Sequence, residues 1–598
     1  MVFKCATIGL ASAPDTRLCV GLDFGTTFSG YAKAHVSAPG SVEAKYDWAG
    51  QPSPYCKTVT EIVYERDGEG SEWKATKWGW NARAVAVKQR RPDPNVMVLK
   101  RFKLLLDQEF TEGTDLVPED DQTGIQLPPG KTIVNVIADY LGLMLRDISA
   151  HIAKQYDDMM SIDNVKWCLT VPAMWTDQAK GQMREAALEA GLIHELDSPR
   201  LLLILEPEAA AVFSKTKGPA FQFKEGEIFM VVDAGGGTVD LTVHKMTIKD
   251  GEDALEEVCR GLGGTCGGTF VDASFREWVC DKLTPEQVDK AERERPKDMQ
   301  SLYTAWDNAK KEVGREDTDD VYIPIPVGIY KSLPQEVQFR LEEEQDGYDT
   351  DLVLTDEDAK EIFEPTVQRI IALIRQMDAR VQDEIRASVD TMLVVGGFAH
   401  SDYLLNRIRA VFGGGSTRIL CPPEPGSAVV MGAVLYGFNP EVISARRSRY
   451  TYGVQFCERF DPQNQHHLAN MATHKKDIDG TAYCTQILSP FVKMNDAVEV
   501  DHTVSETFYP MLQTQTDLSF QIFHCESRDS YFVTDRGVKK LGKPVQVKIP
   551  VQAALEGKRS VKATMFFGLT EIRLLLQPEH DPTAIEEITL DFRHTGAE

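Results

Sequence analysis

An apolar run, an aspartate, then glycine with threonine and a second β-prone run occur twice in this chain. The copies are VGLDFGTTFS at residues 20–29 and MVVDAGGGTVDLT at residues 230–242. Each has the chemistry of a strand, a tight turn and a returning strand, with Gly supplying the backbone freedom that the turn needs. A second echo follows each copy. CLTVPA at residues 168–173 is answered by MLVVGGF at residues 392–398, and each leads into a helical stretch, at residues 177–192 and 402–411. Gly191 is a C-terminal stop for the first of these helices. Repeats of this kind predict two similar α/β halves in tandem over residues 18–440.

The turns themselves carry chemistry. Phosphate is held by many short-range donors, and backbone N–H groups in a tight turn provide them where no side chain blocks the approach. Gly25, Thr26 and Thr27 form one such turn, and Gly235, Gly236, Gly237 and Thr238 the other; each threonine adds a hydroxyl. Asp23 and Asp233 stand at the strand ends just before the turns. Two carboxylates facing one cleft repel each other unless a cation lies between them, and a hydrated Mg²⁺ bridging phosphates meets that need. For one copy alone a plain hairpin turn explains the residues; two copies with matching second strands favour the phosphate reading. There is no G-x-x-x-x-G-K-[ST], and GLGGTCGG at residues 261–268 does not run from a strand into a G-x-G-x-x-G helix, so neither a P-loop nor a Rossmann site is expected.

In order and spacing these segments, with LTVPAMWTD at 169–177, LEPEAAA at 205–211, VVGGF at 394–398 and AVVMGAV at 428–434, resemble the motifs of the actin, heat-shock-chaperone and sugar-kinase superfamily. Within it the chain resembles the heat shock protein 70 family, and E-P-E-A-A and V-G-G-F-A resemble its divergent member-12 branch. The resemblance implies a duplicated ribonuclease-H-like, actin-like two-lobed α/β ATPase core followed by an all-β C-terminal module. Its parts are residues 1–215 for lobe I, 216–440 for lobe II and 441–598 for a substrate-binding-like module. It further implies ATP or ADP with Mg²⁺ as cofactors and a weak Mg²⁺-dependent ATPase activity. Asp23 and Asp233 would hold the metal through water. The two turns would cradle the β- and γ-phosphates. Glu206 would orient the attacking water, and Asp240 is a second metal-site acid. Lys100, in LKRFK, would contact the γ-phosphate, with Lys103 the alternative. Pro172 matches the proline between the lobes. Gly268, Lys310 (with Lys311), Gly396 and Gly397 would line the nucleoside side. There the chain departs from the family: Phe398 and His400 stand in place of Ser and Arg, and Gly426 in place of Asp.

After residue 440 the pattern changes to short β-like runs, at 450–456, 498–504, 518–523, 545–549, 561–567 and 572–576, which predict a sandwich rather than a barrel. The stretch at 491–523 resembles the chaperones' peptide-binding sandwich. Arg446, Arg447 and Arg449 occupy the place of the family's apolar-acidic linker, and no helical lid is expected after the last strand. Partners implied are an unfolded peptide or protein client and co-chaperones. The 65 basic against 91 acidic residues give a net charge of −26, which disfavours nucleic acid. The acidic runs at 119–121 and 342–344 are read as solvated faces. The 11 cysteines include no C-x-x-C pair and there is no N-x-[ST] acceptor, both consistent with a reducing, cytoplasmic setting. No apolar run is long enough for a membrane span, and residues 4–13 are read as leading into the first core strand rather than as a signal peptide. Three functions remain open at this point: an ATP-hydrolysing chaperone-like protein, a nucleotide-binding scaffold with little hydrolysis, and a small-molecule kinase on the same fold.

Overall fold

Strand β1 (Leu18–Phe24) is buried along its whole length. It pairs antiparallel with β2 (Phe28–His35), Asp23 opposite Gly30. On its other side it runs parallel to β3 (Val165–Val171), which in turn runs parallel to β4 (Leu201–Leu205). The near-continuous apolar runs of these strands follow from burial of both sheet faces. The same arrangement recurs later in the chain. Strand β5 (Ile228–Ala234) pairs antiparallel with β6 (Val239–Lys249), which sets Asp233 opposite Asp240. It also runs parallel to β7 (Thr391–Val395), which runs parallel to β8 (Arg418–Leu420). The structure, a computed structural model, describes residues 16–88, 93–106, 125–156, 160–315, 320–344, 350–478, 480–499, 502–512, 515–551, 556–567, 573–583 and 586–589. The acidic run at 119–121 and residues 4–13 lie outside them.

The helices expected from the second echoes are Asp177–Glu189 and Asp402–Phe412, and Gly191 beyond the first has φ +82°. Three further helices position the site. α1 (Glu206–Ser214) starts directly at the end of β4, with Pro207 in its first turn where the missing N–H costs nothing. α2 (Gly268–Leu283) follows the glycine-rich run. α3 (Ala428–Phe438) lays Val430 and Val434 against Cys19, Ala32 and Ala34 of β1 and β2. That approach needs a glycine: a Cβ at Gly21 would sit 2.7 Å from the Val430 carbonyl oxygen and 2.9 Å from the Val434 nitrogen.

The chain divides into two compact units. The first comprises Met1–Trp175, Gln182–Met246 and Gly261–Val442. The second comprises Thr176–Gly181, Thr247–Arg260 and Ile443–Glu598. In the second unit, one sheet orders the strands Lys475–Ile478, Thr481–Val492, Thr451–Arg459, Asp517–Cys525 and Lys539–Lys548. Another orders Thr503–Phe508, Val561–Phe566, Arg573–Pro578 and Glu586–Thr589. Side chains of both sheets, among them Tyr452, Phe491, Phe520, Met565 and Leu576, share one core. Two short helices, Gln465–Ala469 and Met471–His474, interrupt the strands. Arg446 and Arg447, read from the sequence as replacing a linker, end the strand Ile443–Arg447, which pairs with Leu255 through Ile443.

Candidate functional site

The two glycine turns meet. A Cβ on Gly236 would lie 3.0 Å from the Thr27 Cβ, and one on Gly237 2.9 Å from the Thr26 Cγ2. Glycine at both places is therefore a condition of the approach, over and above the shape of the turn. Each turn is braced from behind. Thr60 donates its hydroxyl to the Gly25 carbonyl at 2.8 Å and its N–H to the Thr27 carbonyl at 2.8 Å. The N–H groups of Gly268 and Thr269, at the start of α2, donate to the carbonyls of Gly235 (3.1 Å) and Gly236 (2.8 Å). Gly396, with φ +90°, is held against the second strand end, where a Cβ would come 2.5 Å from the Asp233 Oδ1.

Asp23, Asp233 and Asp240 are buried at the strand ends beside these turns, and Glu206 opens α1. Two buried lysines answer two of the four acids. Lys57 Nζ lies 2.6 Å from Asp23 Oδ2, and Lys103 Nζ 2.7 Å from Glu206 Oε1. The other Asp23 oxygen, Oδ1, accepts the Thr170 hydroxyl from β3 at 3.3 Å. Lys103 also lies 5.0 Å from the centre of the Trp175 ring. Among the described residues no lysine or arginine forms such a close ion pair with Asp233 or Asp240, which feel Lys57 and Lys103 only at longer range. Burial, then the carboxylates of Glu206 and Asp240, holds the Asp233 carboxyl well above its ordinary range. Burial, then the Glu206 carboxylate, pushes Asp240 up to about 7. Burial also raises Glu206, against the opposing pull of Lys103. Asp240 Oδ1 is buried without a hydrogen-bond partner among the described residues. A divalent cation fits this side of the cluster, since its charge would relieve mutually repelling carboxylates. Among the described residues no group of three or more His, Cys, Asp or Glu side chains forms a direct ligand set.

The family model described as Hsp70 protein matches residues 130–441, just over half of the 598 residues. The chain belongs to the Hsp70 family. Its likeness extends almost end to end to the member-12 branch. It is 28% identical to heat shock 70 kDa protein 12B of Homo sapiens over an alignment of 634 residues, which covers 93% of this chain and 88% of that one. It is 27% identical to heat shock 70 kDa protein 12A of Mus musculus, with the same coverage of both. To the chaperone protein DnaK of Thermus thermophilus it is 27% identical over 426 residues, 70% of this chain and 60% of that one. The α/β core is that of an actin-like Hsp70-type nucleotide-binding protein.

Several site residues expected from the sequence come together in this Hsp70 core. Asp23, Glu206, Asp233, Asp240, the two turns, Gly268 and Gly396 lie at one place. The two candidate lysines part. Lys100 ends the strand Val96–Lys100 with its side chain half-exposed and reaches Glu61 at 3.6 Å, a carboxylate already held by Arg83. Arg101 then takes a left-handed φ of +55°, and the 3-10 turn Phe102–Leu106 carries Lys103 inward to Glu206. Lys310 is ion-paired beside the start of α2: its ammonium lies 2.8 Å from Asp272, one turn past Gly268, and 2.7 Å from Asp307. On the nucleoside side Gly397 and Gly426 face Tyr55, whose ring Cζ would lie 3.2 Å from a Cβ at Gly426; His400 Nε2 would lie 3.4 Å from it. Phe398 packs over Gly268 at 3.4 Å from the corresponding Cβ position. Sequence reasoning missed Lys57, Thr170 and Tyr55. The one available signal for Lys57 was a lysine set among the β-prone residues of CKTVTEIVY, an unusual place for a charge that is not paired.

Proposed function

We propose that this chain binds ATP and ADP with Mg²⁺ at the junction of its two glycine turns and hydrolyses ATP slowly, as a chaperone-like protein of the Hsp70 type. The observation that carries this reading is the convergence of two turns about 210 residues apart with three buried acids, the part-buried Glu206 and two buried lysines. In this reading the N–H groups and hydroxyls of Gly25–Thr27 and Gly235–Thr238 bind the β- and γ-phosphates. Asp23, Asp233 and Asp240 flank the metal site, and the bound Mg²⁺ would supply charge neutralisation for the phosphates. Glu206, oriented by the start of α1 and by Lys103, accepts a hydrogen bond from the attacking water and aims it; Lys103 stands where phosphate charge would develop. Such a site works by positioning and electrostatic preorganisation, without a covalent intermediate. We propose the division into lobe I (1–215), lobe II (216–440) and an all-β C-terminal module (441–598), the last binding an extended peptide client. Co-chaperone partners and a cytoplasmic setting belong to the same reading; the ten described cysteines, none of them in a disulfide, fit a reducing compartment. Among the described residues no helix is long and apolar enough to cross a membrane.

Calorimetric titration with ATP, ADP and GTP, with and without Mg²⁺, together with phosphate release in single turnover, tests the proposal. Saturable ATP binding with slow phosphate release is the expected result, and no heat with any nucleotide refutes it. Stimulation of turnover by an unfolded peptide is the expected sign of coupling to the C-terminal module. One observation favours a binding scaffold as the second reading: Asp23 is already engaged within the protein, its Oδ1 by the Thr170 hydroxyl and its Oδ2 by the ion pair with Lys57. Binding with no phosphate release would select it.

A further inference from the structure

Tyr55 is a side chain that the phosphate chemistry leaves without a role. Its backbone is fixed by two donors: the Trp48 indole N–H gives to its carbonyl at 3.1 Å and the Gln51 side-chain amide at 3.2 Å. Trp48 is itself buried, and its ring meets those of Tyr31 and Trp78 edge to face, 5.5 Å and 6.0 Å between centres. The Tyr55 ring stands edge-on to Phe28, 5.9 Å between centres, and Phe28 follows directly on the first glycine turn. Its hydroxyl ends against the second half of the core. A Cβ at Gly426 would collide with that hydroxyl and come 3.2 Å from the ring Cζ, and one at Gly397 would lie 3.9 Å from the hydroxyl.

Neither glycine is demanded by its own backbone. Gly397 has φ −66°, and Gly426 lies outside the left-handed region. At 426 the approach of the tyrosine is what excludes a side chain, and 426 is a position where the chain departs from its family. The receiving backbone is fixed as well: the Gly396 N–H donates to the Pro425 carbonyl at 3.1 Å, and the Ser427 N–H to the Glu424 carbonyl at 3.2 Å. The Tyr55 segment is tied across a second time by Tyr46, whose hydroxyl donates to Glu424 Oε2 at 2.9 Å. A preorganised ring thus runs from the first turn to the glycines of the nucleoside side.

We propose that Tyr55 is a nucleoside-binding residue of this cleft: mounted on the first half and seated on Gly397 and Gly426 of the second, its ring gives the base and ribose of a purine nucleoside di- or triphosphate an aromatic wall. The inference rests on the nucleotide reading above and names what holds the nucleoside there. An aromatic ring takes a base through its π face and leaves the hydrogen-bonding edge unread, so adenine and guanine gain alike. The attack of water stays with Glu206, and the effect of Tyr55 is read in affinity.

The test is calorimetric titration of the full chain in Mg²⁺ buffer with ATP, GTP and inorganic tripolyphosphate. The proteins are the wild type, Tyr55→Phe, Tyr55→Ala, Gly426→Ala and the double variant Tyr55→Ala/Gly426→Ala. Tyr55→Ala should weaken ATP and GTP binding by about tenfold each and leave tripolyphosphate binding unchanged. Tyr55→Phe keeps the ring and should stay within about threefold of wild type. Gly426→Ala pushes the tyrosine off its seat and should also weaken ATP binding, but should cost nothing further in the Tyr55→Ala background, because the two residues act through one contact. Circular dichroism and thermal unfolding check the fold, and if Tyr55→Ala does not fold, Tyr55→Leu, which keeps bulk without a π face, takes its place. If tripolyphosphate binds to no variant, the cycle between Tyr55 and Gly426 decides. Folded Tyr55→Ala that binds ATP as wild type does overturns the inference and leaves the nucleotide site standing. Equal losses for ATP and tripolyphosphate, or additive losses from the two positions, overturn it too. A wild type that binds neither ATP nor GTP refutes the nucleotide reading, and with it this inference.

Discussion

Replacing Gly21 by Ala isolates the contact that seats α3 on the strand carrying Asp23. The added methyl would lie 2.7 Å from the Val430 carbonyl oxygen, 2.9 Å from the Val434 nitrogen and 2.9 Å from its Cγ2. Ordinary contacts at such a place are about 3.4 Å, so helix and strand must part by roughly half an ångström. Two of the three atoms belong to helix backbone and cannot rotate aside. Overpacking of this kind costs about 1–3 kcal/mol. Alanine also restricts the unfolded chain, which returns roughly 0.5–1 kcal/mol, so the net loss is about 1–2 kcal/mol. For the first unit, of roughly 420 residues, the unfolding entropy is about 0.9 kcal/mol per degree, and the thermal midpoint should fall by about 1–2 °C. The same displacement moves Asp23, two residues along β1 on the same face, and ATP affinity should drop about tenfold. Differential scanning calorimetry reads the first effect and titration calorimetry the second. Gly414→Ala serves as control, because a Cβ there meets nothing within 4 Å. A Gly21→Ala protein that melts with or above wild type and binds ATP unchanged would refute the close packing of α3 on β1.

Other outcomes follow from the same geometry. Lys103→Met strands the buried Glu206 carboxylate and should cost about 3–5 kcal/mol, whereas Lys100→Met, removing a half-exposed side chain, should stay within about 0.5 kcal/mol; urea unfolding compares them, and equal effects would contradict the placement of the two lysines. Asp233→Asn should raise the melting temperature at pH 8. The wild-type acid has a folded pKa above its unfolded value, so the stability tied to its protonated form is fully present below the unfolded value and is lost as pH rises through the folded one. The same variant should lose the Mg²⁺ enhancement of ATP binding, and a lower melting temperature would contradict the repulsion ascribed to this acid. Glu364, brought down to about 2 chiefly by hydrogen bonds from Arg407, adds stability that is present above its unfolded pKa near 4.5 and disappears as pH falls toward 2. Because the pair is partly exposed the gain is only about 1 kcal/mol, and Arg407→Ala should flatten the acid limb of the melting-temperature profile between pH 5 and 2.

Strand, turn and strand in both halves were legible without coordinates, because a tight turn between two β-prone runs is a matter of local chemistry. An apolar run, an Asp and glycines select that shape wherever they stand, and the second copy at 230–242 repeats the first. Parallel partners CLTV and MLVV were legible for a related reason: a strand buried on both faces must be apolar throughout. The choice between Lys100 and Lys103 was not local. The two are three residues apart on either side of a left-handed residue, and only the turn at Arg101 decides which one faces Glu206, more than 100 residues further along. Likewise the pairing of Lys310 with Asp272 and Asp307 is set by the fold and not by its motif. Lys57 had no motif at all, and only the pairing of Thr58 and Val59 with β2 brings it to Asp23. Backbone conformation responds to neighbours along the chain, whereas a long charged side chain goes to whichever counter-charge the completed fold leaves closest and least hydrated. The sequence by itself therefore determined the twin hairpins and their acids, and the tertiary structure decided which cations meet them.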